Sequence, residues 1–209
     1  MNRMTVVAAA AALILSACAG NPEGKKAETA DAVEAGEAVG TAYNVDATQS
    51  SVIWKGTKVT GFHEGTVDIK SGSLLVDNEA ISGGNFVLDM NSISATDLEG
   101  EYKEKLDGHL KSEDFFNSAE HSEATFQITE VREGASANDV VIAGNLTIKG
   151  ISKNVTFDAT VEELTETTVK VKADFNITRA DWGVNYSGKE DDLISKEINF
   201  KVNLVANKA

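Results

Sequence analysis

The feature that most constrains this chain is a strict alternation of apolar and polar residues that recurs through its second half. Val140, Ile142, Gly144, Leu146 and Ile148 form one such set; Val155, Phe157, Ala159 and Val161 form another. Val169, Val171, Ala173, Phe175 and Ile177 follow, and Ile198, Phe200, Val202 and Leu204 close the series. The residues between are largely polar, as in Lys170, Lys172, Asp174 and Asn176. Extended backbone turns successive side chains to opposite faces, so this pattern predicts antiparallel strands with one buried face. Phe86, Leu88 and Met90 repeat the pattern upstream, with shorter candidates at 51–55, 65–69, 73–76 and 125–131. Turn signals at Gly83-Gly84, Gly134 to Asp139 and Gly150 separate them. The prediction is an all-β fold of about eight or nine strands, a single antiparallel barrel or a sandwich.

One helix is expected to interrupt the strands. Thr96 and Glu99 have capping-box spacing, and Leu98, Tyr102, Leu106 and Leu110 follow at intervals of four. Such a helix would cover one barrel opening or one open side and could serve as a lid. A membrane-spanning barrel is disfavoured because the expected strands are short for one and only 6% of residues are aromatic.

The N-terminus reads as a processing signal. Arg3 precedes an apolar run from Val6 to Leu15, too short for the roughly 20 residues that a spanning helix needs. It ends in Leu15-Ser16-Ala17-Cys18, which resembles the bacterial lipobox, whose cysteine becomes the lipidated first residue. The reading is a signal peptide over 1–17 and lipidation at Cys18. Ala19 in the next position favours the outer membrane, facing the periplasm, within the cell envelope. Residues 18–41 contain Ala, Glu, Gly and Lys with almost no large apolar side chain, which predicts a disordered tether. Its expected reach is roughly 25–30 Å. The folded domain is expected over 42–207.

Composition excludes several functions. A net charge of −14 disfavours binding to nucleic acid and adsorption to anionic lipid. The single cysteine leaves no disulfide framework, and three scattered histidines do not argue for a metal site. No nucleophile with an activating partner and no phosphate-binding glycine loop is present, so no catalytic residue and no cofactor are assigned.

Alternation predicts an apolar interior but leaves open whether it is a packed core or a cavity. Six segments carry the reading further. They are Tyr43 to Asp46 with Ser51 to Trp54, Gly61 to Gly65, His109 to Phe116, Ala124 to Phe126, Gly144 to Gly150, and Arg179 to Gly183. In order and spacing the chain resembles the YceI family of polyisoprenoid-binding proteins over about residues 42–206. His121-Ser122 stands where that family usually carries Tyr-Pro. The resemblance implies a lipocalin-like barrel of about eight strands whose lumen holds a polyisoprenoid, isoprenoid quinone or similar amphiphile, without catalysis. The expected partners are that lipid and the membrane, reached through the anchor; a homodimer is left open.

On this reading the lumen candidates are Phe86, Leu88, Phe126, Ile142, Phe157, Phe175 and Phe200, with plain core packing as the alternative. Gly144 either leaves room for ligand or marks a strand bend. Trp54, Trp182 and Tyr186 are candidates for the mouth. Arg179 could meet a phosphate headgroup, the blander reading being an internal pair with Asp181. The competing function is a structural or interaction protein with a filled barrel.

Overall fold

The structure is a computed structural model that describes residues 20–209, so the signal segment and Cys18 lie outside the described residues. The strands in chain order are β1 (Lys25–Lys26), β2 (Glu28–Asp31), β3 (Thr41–Val45), β4 (Ser51–Lys58), β5 (Gly61–Asp77) and β6 (Ala80–Ala95). Helix α1 (Gly100–Lys111) follows, then β7 (Glu123–Glu133), β8 (Asp139–Ile148), β9 (Ile151–Leu164) and β10 (Thr168–Thr178). A 3-10 turn over Arg179–Trp182 leads to β11 (Gly188–Lys189) and β12 (Asp192–Lys208).

The alternating apolar stretches become the walls of a closed, eight-stranded antiparallel barrel running β4 to β10 and then β12. Pairing of β12 with β4, Phe200 opposite Trp54 and Val202 opposite Val52, closes it. β3 continues the place of β4 beyond a turn built on Asp46, whose carboxylate accepts from Thr48 and Gln49. It pairs with the far ends of both β12 and β5. Closure removes free sheet edges, and the barrel strands pair with their neighbours in chain order.

Several strands are longer than expected, with 17 residues in β5 and β12 and 16 in β6. Strand length therefore does not separate this barrel from a membrane-spanning one. Polarity does. Outward residues Lys170 and Lys172 on β10 pair with Glu163 and Glu162, while the apolar set faces inward. The turn expected at Gly83-Gly84 lies instead at Asn78-Glu79, both in the left-handed region (φ 48° and 62°). The two glycines run inside β6, where a Cβ on Gly83 would stand 2.4 Å from Ala38.

The barrel has two unlike ends. One carries the β4–β5 and β8–β9 hairpins, α1 with its following loop, and the β10–β12 connection; the other carries only tight turns and short polar loops. At the first end Asp192 accepts from Lys58 at 2.7 Å and from Thr60, which hold its carboxyl down to about 2.

The N-terminal segment corrects the expectation of a disordered tether. β9 and β10 pair only from Val169–Leu164 to Ala173–Ala159 and then splay. β1 runs parallel to β10, Lys25 beside Phe175, and β2 runs antiparallel to β9, from Glu28–Thr156 to Asp31–Lys153. The segment is thus a strap set into a gap in the wall. Its Ala27 is buried, and the Ala27 amide donates to the Asn176 carbonyl at 2.8 Å. Composition does not mark the strap because the hydrogen-bond demand comes from the two splayed strands, and buried backbone groups must be paired.

Candidate functional site

All seven lumen candidates line a single internal cavity of about 150 Å³, together with Trp54, Met90 and Phe116 among others. Every lining side chain is apolar. Five phenylalanines form a band across neighbouring walls: Phe86 to Phe126 at 6.2 Å, Phe126 to Phe157 at 5.7 Å, Phe157 stacked on Phe175 at 4.0 Å, and Phe175 to Phe200 at 6.0 Å. Strand β8 contributes no ring to this band. Gly144 stands there, and a Cβ would come 2.4 Å from the Phe126 ring. The space left by Gly144 is therefore taken by Phe126, and the β7–β8 pairing shifts register beside it, between Ile128 and Glu130.

Ile142 and Phe175 are buried, whereas Phe86, Leu88, Phe126, Phe157 and Phe200 remain half-buried. A sealed core of this size would hide its rings more completely, since protein interiors pack to crystal-like density. The lumen thus has free volume that these rings face. Its capacity is small: about 150 Å³ is the size of an engineered cavity that accepts benzene, so about one five-carbon unit fits without rearrangement.

α1 and its following loop cap one end. The helix begins after Glu99 with no side-chain cap, and Thr96 instead bonds the Glu64 carbonyl of β5. The expected Thr96–Glu99 box is not formed, and Tyr102 is 75% exposed rather than part of the buried stripe. The packed face is Lys103, Leu106, Asp107 and Leu110. Asp107 fastens it, accepting from the Ala95 amide at 2.7 Å, from Ser94 at 2.8 Å and from Lys103 at 2.7 Å. Burial alone would raise the Asp107 pKa; Lys103, the Ala95 amide and Ser94 outweigh it and hold the carboxyl below its ordinary value. Phe116, in the loop after the helix, reaches the cavity.

The mouth candidates are not brought together. Trp54 lines the cavity wall with its indole N–H on the Thr66 carbonyl at 3.3 Å. Trp182 is fully buried and donates to the Leu146 carbonyl at 2.9 Å. Arg179 meets neither a headgroup space nor Asp181. Buried at 5% exposure, its guanidinium donates to the Ser195 carbonyl at 2.8 Å and the Val184 carbonyl at 2.9 Å. Burial pushes its pKa down from the ordinary value. Its work is to clasp the β10–β12 connection. Tyr186 alone is half-exposed, edge-on to His109 at 4.5 Å beneath the helix cap. Sequence reading missed Phe116, Trp54 as lining and Asp107; the spacing of Lys103 and Asp107, four apart on one helix face, was the available signal. Among the described residues no group of His, Cys, Asp and Glu could hold a metal ion.

The YceI-like domain model matches residues 43–206, the full span of the barrel. The chain belongs to the YceI family. A UPF0312 protein of Yersinia enterocolitica is 34% identical over 130 residues, covering 60% of this chain and 64% of that relative. Protein YceI of Escherichia coli is 38% identical over 68 residues, covering 32% of this chain and 34% of its own length. The chain thus spans less than two thirds of the curated relatives it matches. The solved structure of Burkholderia cenocepacia BcnA superposes with a TM-score of 0.63 at 22% identity, over 78% of this chain and 99% of that one. A polyisoprenoid binding domain from Saccharophagus degradans gives 0.62 at 19% identity, over 81% and 99%. At these identities the likeness shows that the YceI barrel fold is shared.

Proposed function

We propose that this YceI-family barrel is an envelope lipoprotein, anchored through Cys18, that binds a polyisoprenoid, isoprenoid quinone or similar amphiphilic lipid in its lumen. It carries or sequesters that lipid by equilibrium binding and performs no chemistry on it. The observation that carries the reading is the entirely apolar lumen with half-buried phenylalanines at its centre. The polyisoprenoid binding domain of Saccharophagus degradans, with the same fold, supports the ligand class. An apolar chain gains about 0.8 kcal/mol for each CH2-sized group removed from water, hence about 3–4 kcal/mol per five-carbon unit before ordering costs.

Because about one such unit fits the cavity as it stands, longer chains require the lumen to widen. The movable part is the α1 cap, fastened to β6 by Asp107 and packed on the barrel through Leu106 and Leu110, with Phe116 beneath it. Titrating the full-length protein with prenyl alcohols of increasing length tests this. Affinity should rise with length and then level off; no uptake at any length contradicts the reading. The same small volume favours the second reading, a filled barrel that contacts a protein partner. In that case stability is insensitive to prenyl lipid at every length.

A further inference from the structure

Exposed large apolar side chains are distributed unevenly over this barrel. Of seven among the described residues, five lie at the helix-capped end: Val59, Phe62, Tyr102, Ile151 and Leu193. Val33 lies on the wall beside Asn145, and only Val39 lies near the opposite end, where Ser82 donates to its carbonyl. Val59 and Leu193 are neighbours, joined by the Val59 amide and the Leu193 carbonyl at 3.1 Å. Phe62 pairs with Thr57 across the same hairpin, with the Lys55 ammonium 4.2 Å above its ring. Scattered apolar residues are ordinary on a protein surface; concentration at one end is not.

The chain also enters the fold at this end. The Thr57 hydroxyl donates to the Gly20 carbonyl, Ser195 donates to the Asn21 side chain at 2.9 Å, and Asn176 donates to the Pro22 carbonyl at 3.0 Å. Gly24 then passes so close to β10 and β12 that a Cβ would stand 2.4 Å from Asn176 and Asn199. Cys18 precedes Gly20 by two residues, and two residues span at most about 7 Å. A free tether would have left the barrel able to tumble beneath its anchor, whereas a strap bonded from Gly20 onward removes that slack.

We infer that the helix-capped end is the face that rests on the lipid bilayer, with Val59, Phe62, Ile151 and Leu193 seated at the headgroup boundary and the α1 cap turned toward the membrane. The inference rests on the reading of Cys18 as the lipid anchor. Charge at this end is mixed: Lys58 is matched by Asp192, Lys189 stands beside Glu190 and Asp191, and the flanks of α1 add Asp97, Glu99, Glu113 and Asp114. Charge does not set the two ends apart: at the opposite end Glu162 and Glu163 are matched by Lys172 and Lys170. Apolar side chains that enter the headgroup boundary reach about 5–10 Å deep, which suits residues on three hairpins.

The test uses the full-length protein with acylated Cys18 in vesicles of phosphatidylethanolamine and phosphatidylglycerol that carry nitroxide-labelled lipid. Acylation consumes the native thiol, so Val59→Cys and Leu193→Cys each take a fluorophore at the helix-capped end. Glu166→Cys and Asn138→Cys take it at the other. Quenching several-fold stronger at 59 and 193 than at 166 and 138 is the expected result. Equal or reversed quenching, in protein that floats with the vesicles and carries acyl mass on Cys18, overturns the orientation and leaves the anchor standing. Protein that lacks the acyl mass and stays in the aqueous fraction overturns the anchor and the orientation with it.

Discussion

The walls of the barrel and the strap that fills its seam are both extended backbone, yet they are held by opposite means. β10 places Val169, Val171, Ala173, Phe175 and Ile177 on one face, and that face alone dictates where the strand must lie. β1 and β2 carry Lys-Lys and Glu-Thr-Ala-Asp, with only Ala27 between them buried. What orders them is the unpaired backbone of β9 and β10 and a polar cluster of Asn176, Asn199, Asp174 and Glu197 on the outer wall. The difference teaches that hydrophobic pattern selects structure for a segment that brings its own burial. A segment that answers another's unmet hydrogen bonds carries no such mark.

The largest effect that can sharpen the comparison lies in the wall. Phe157 stacks on Phe175 and bounds the cavity. In a filled core Phe157→Ala would cost about 3–5 kcal/mol. In a lumen with free volume the loss should fall below about 3 kcal/mol and prenyl-lipid affinity should drop. Urea melts and lipid titration of the same variant read both quantities.

Next comes the strap. Gly24 has φ +130° and no room for a Cβ, so Gly24→Ala should lift the strap and destabilise by about 1–3 kcal/mol. Hydrogen exchange should show protection lost over 25–31 and along the freed edges of β9 and β10, with β5 to β8 unchanged. Loss spread evenly over the barrel would mean that strap and wall are one cooperative unit.

The cap is fastened in part by the Asp107 carboxylate and should respond to acid. The folded Asp107 carboxyl sits below its ordinary value, so its contribution is complete above the unfolded value of about 3.9 and is lost as pH falls through the lower folded one. Pepsin cleavage within 96–112 should therefore rise as pH is lowered below about 3.9. The Lys58–Asp192 clasp, with its carboxyl near 2, should outlast the cap. The smallest effect belongs to Thr29, whose hydroxyl is buried without a partner. Thr29→Val should leave the strap unchanged or raise stability by up to about 1 kcal/mol in a thermal melt.

Much of this was legible from residues. The inward sets became the barrel, and the seven lumen candidates converge on one cavity because period two assigns each to a face without knowledge of its neighbours. Turn positions were less legible: Gly83-Gly84 signalled a hairpin, but the glycines admit Ala38 and β5 at close range while Asn78-Glu79 makes the turn. Aromatic and charged residues near the last hairpin misled for a related reason. Trp182 and Arg179 have the chemistry of a headgroup site, and the fold spends both on backbone carbonyls that no sequence pattern announces. The helix stripe failed at Tyr102 because Asp107, a polar residue, supplies the docking contact.

The strap also decides how the central claim must be tested, since removing residues up to 41 would delete part of the wall. Full-length protein should be purified from its native host, extracted with organic solvent and analysed by mass spectrometry for bound lipid. The account predicts a prenyl species in stoichiometric amount, released together with unfolding of the barrel. An empty protein that also takes up no added prenyl lipid would contradict it and turn the barrel into a scaffold for a protein partner.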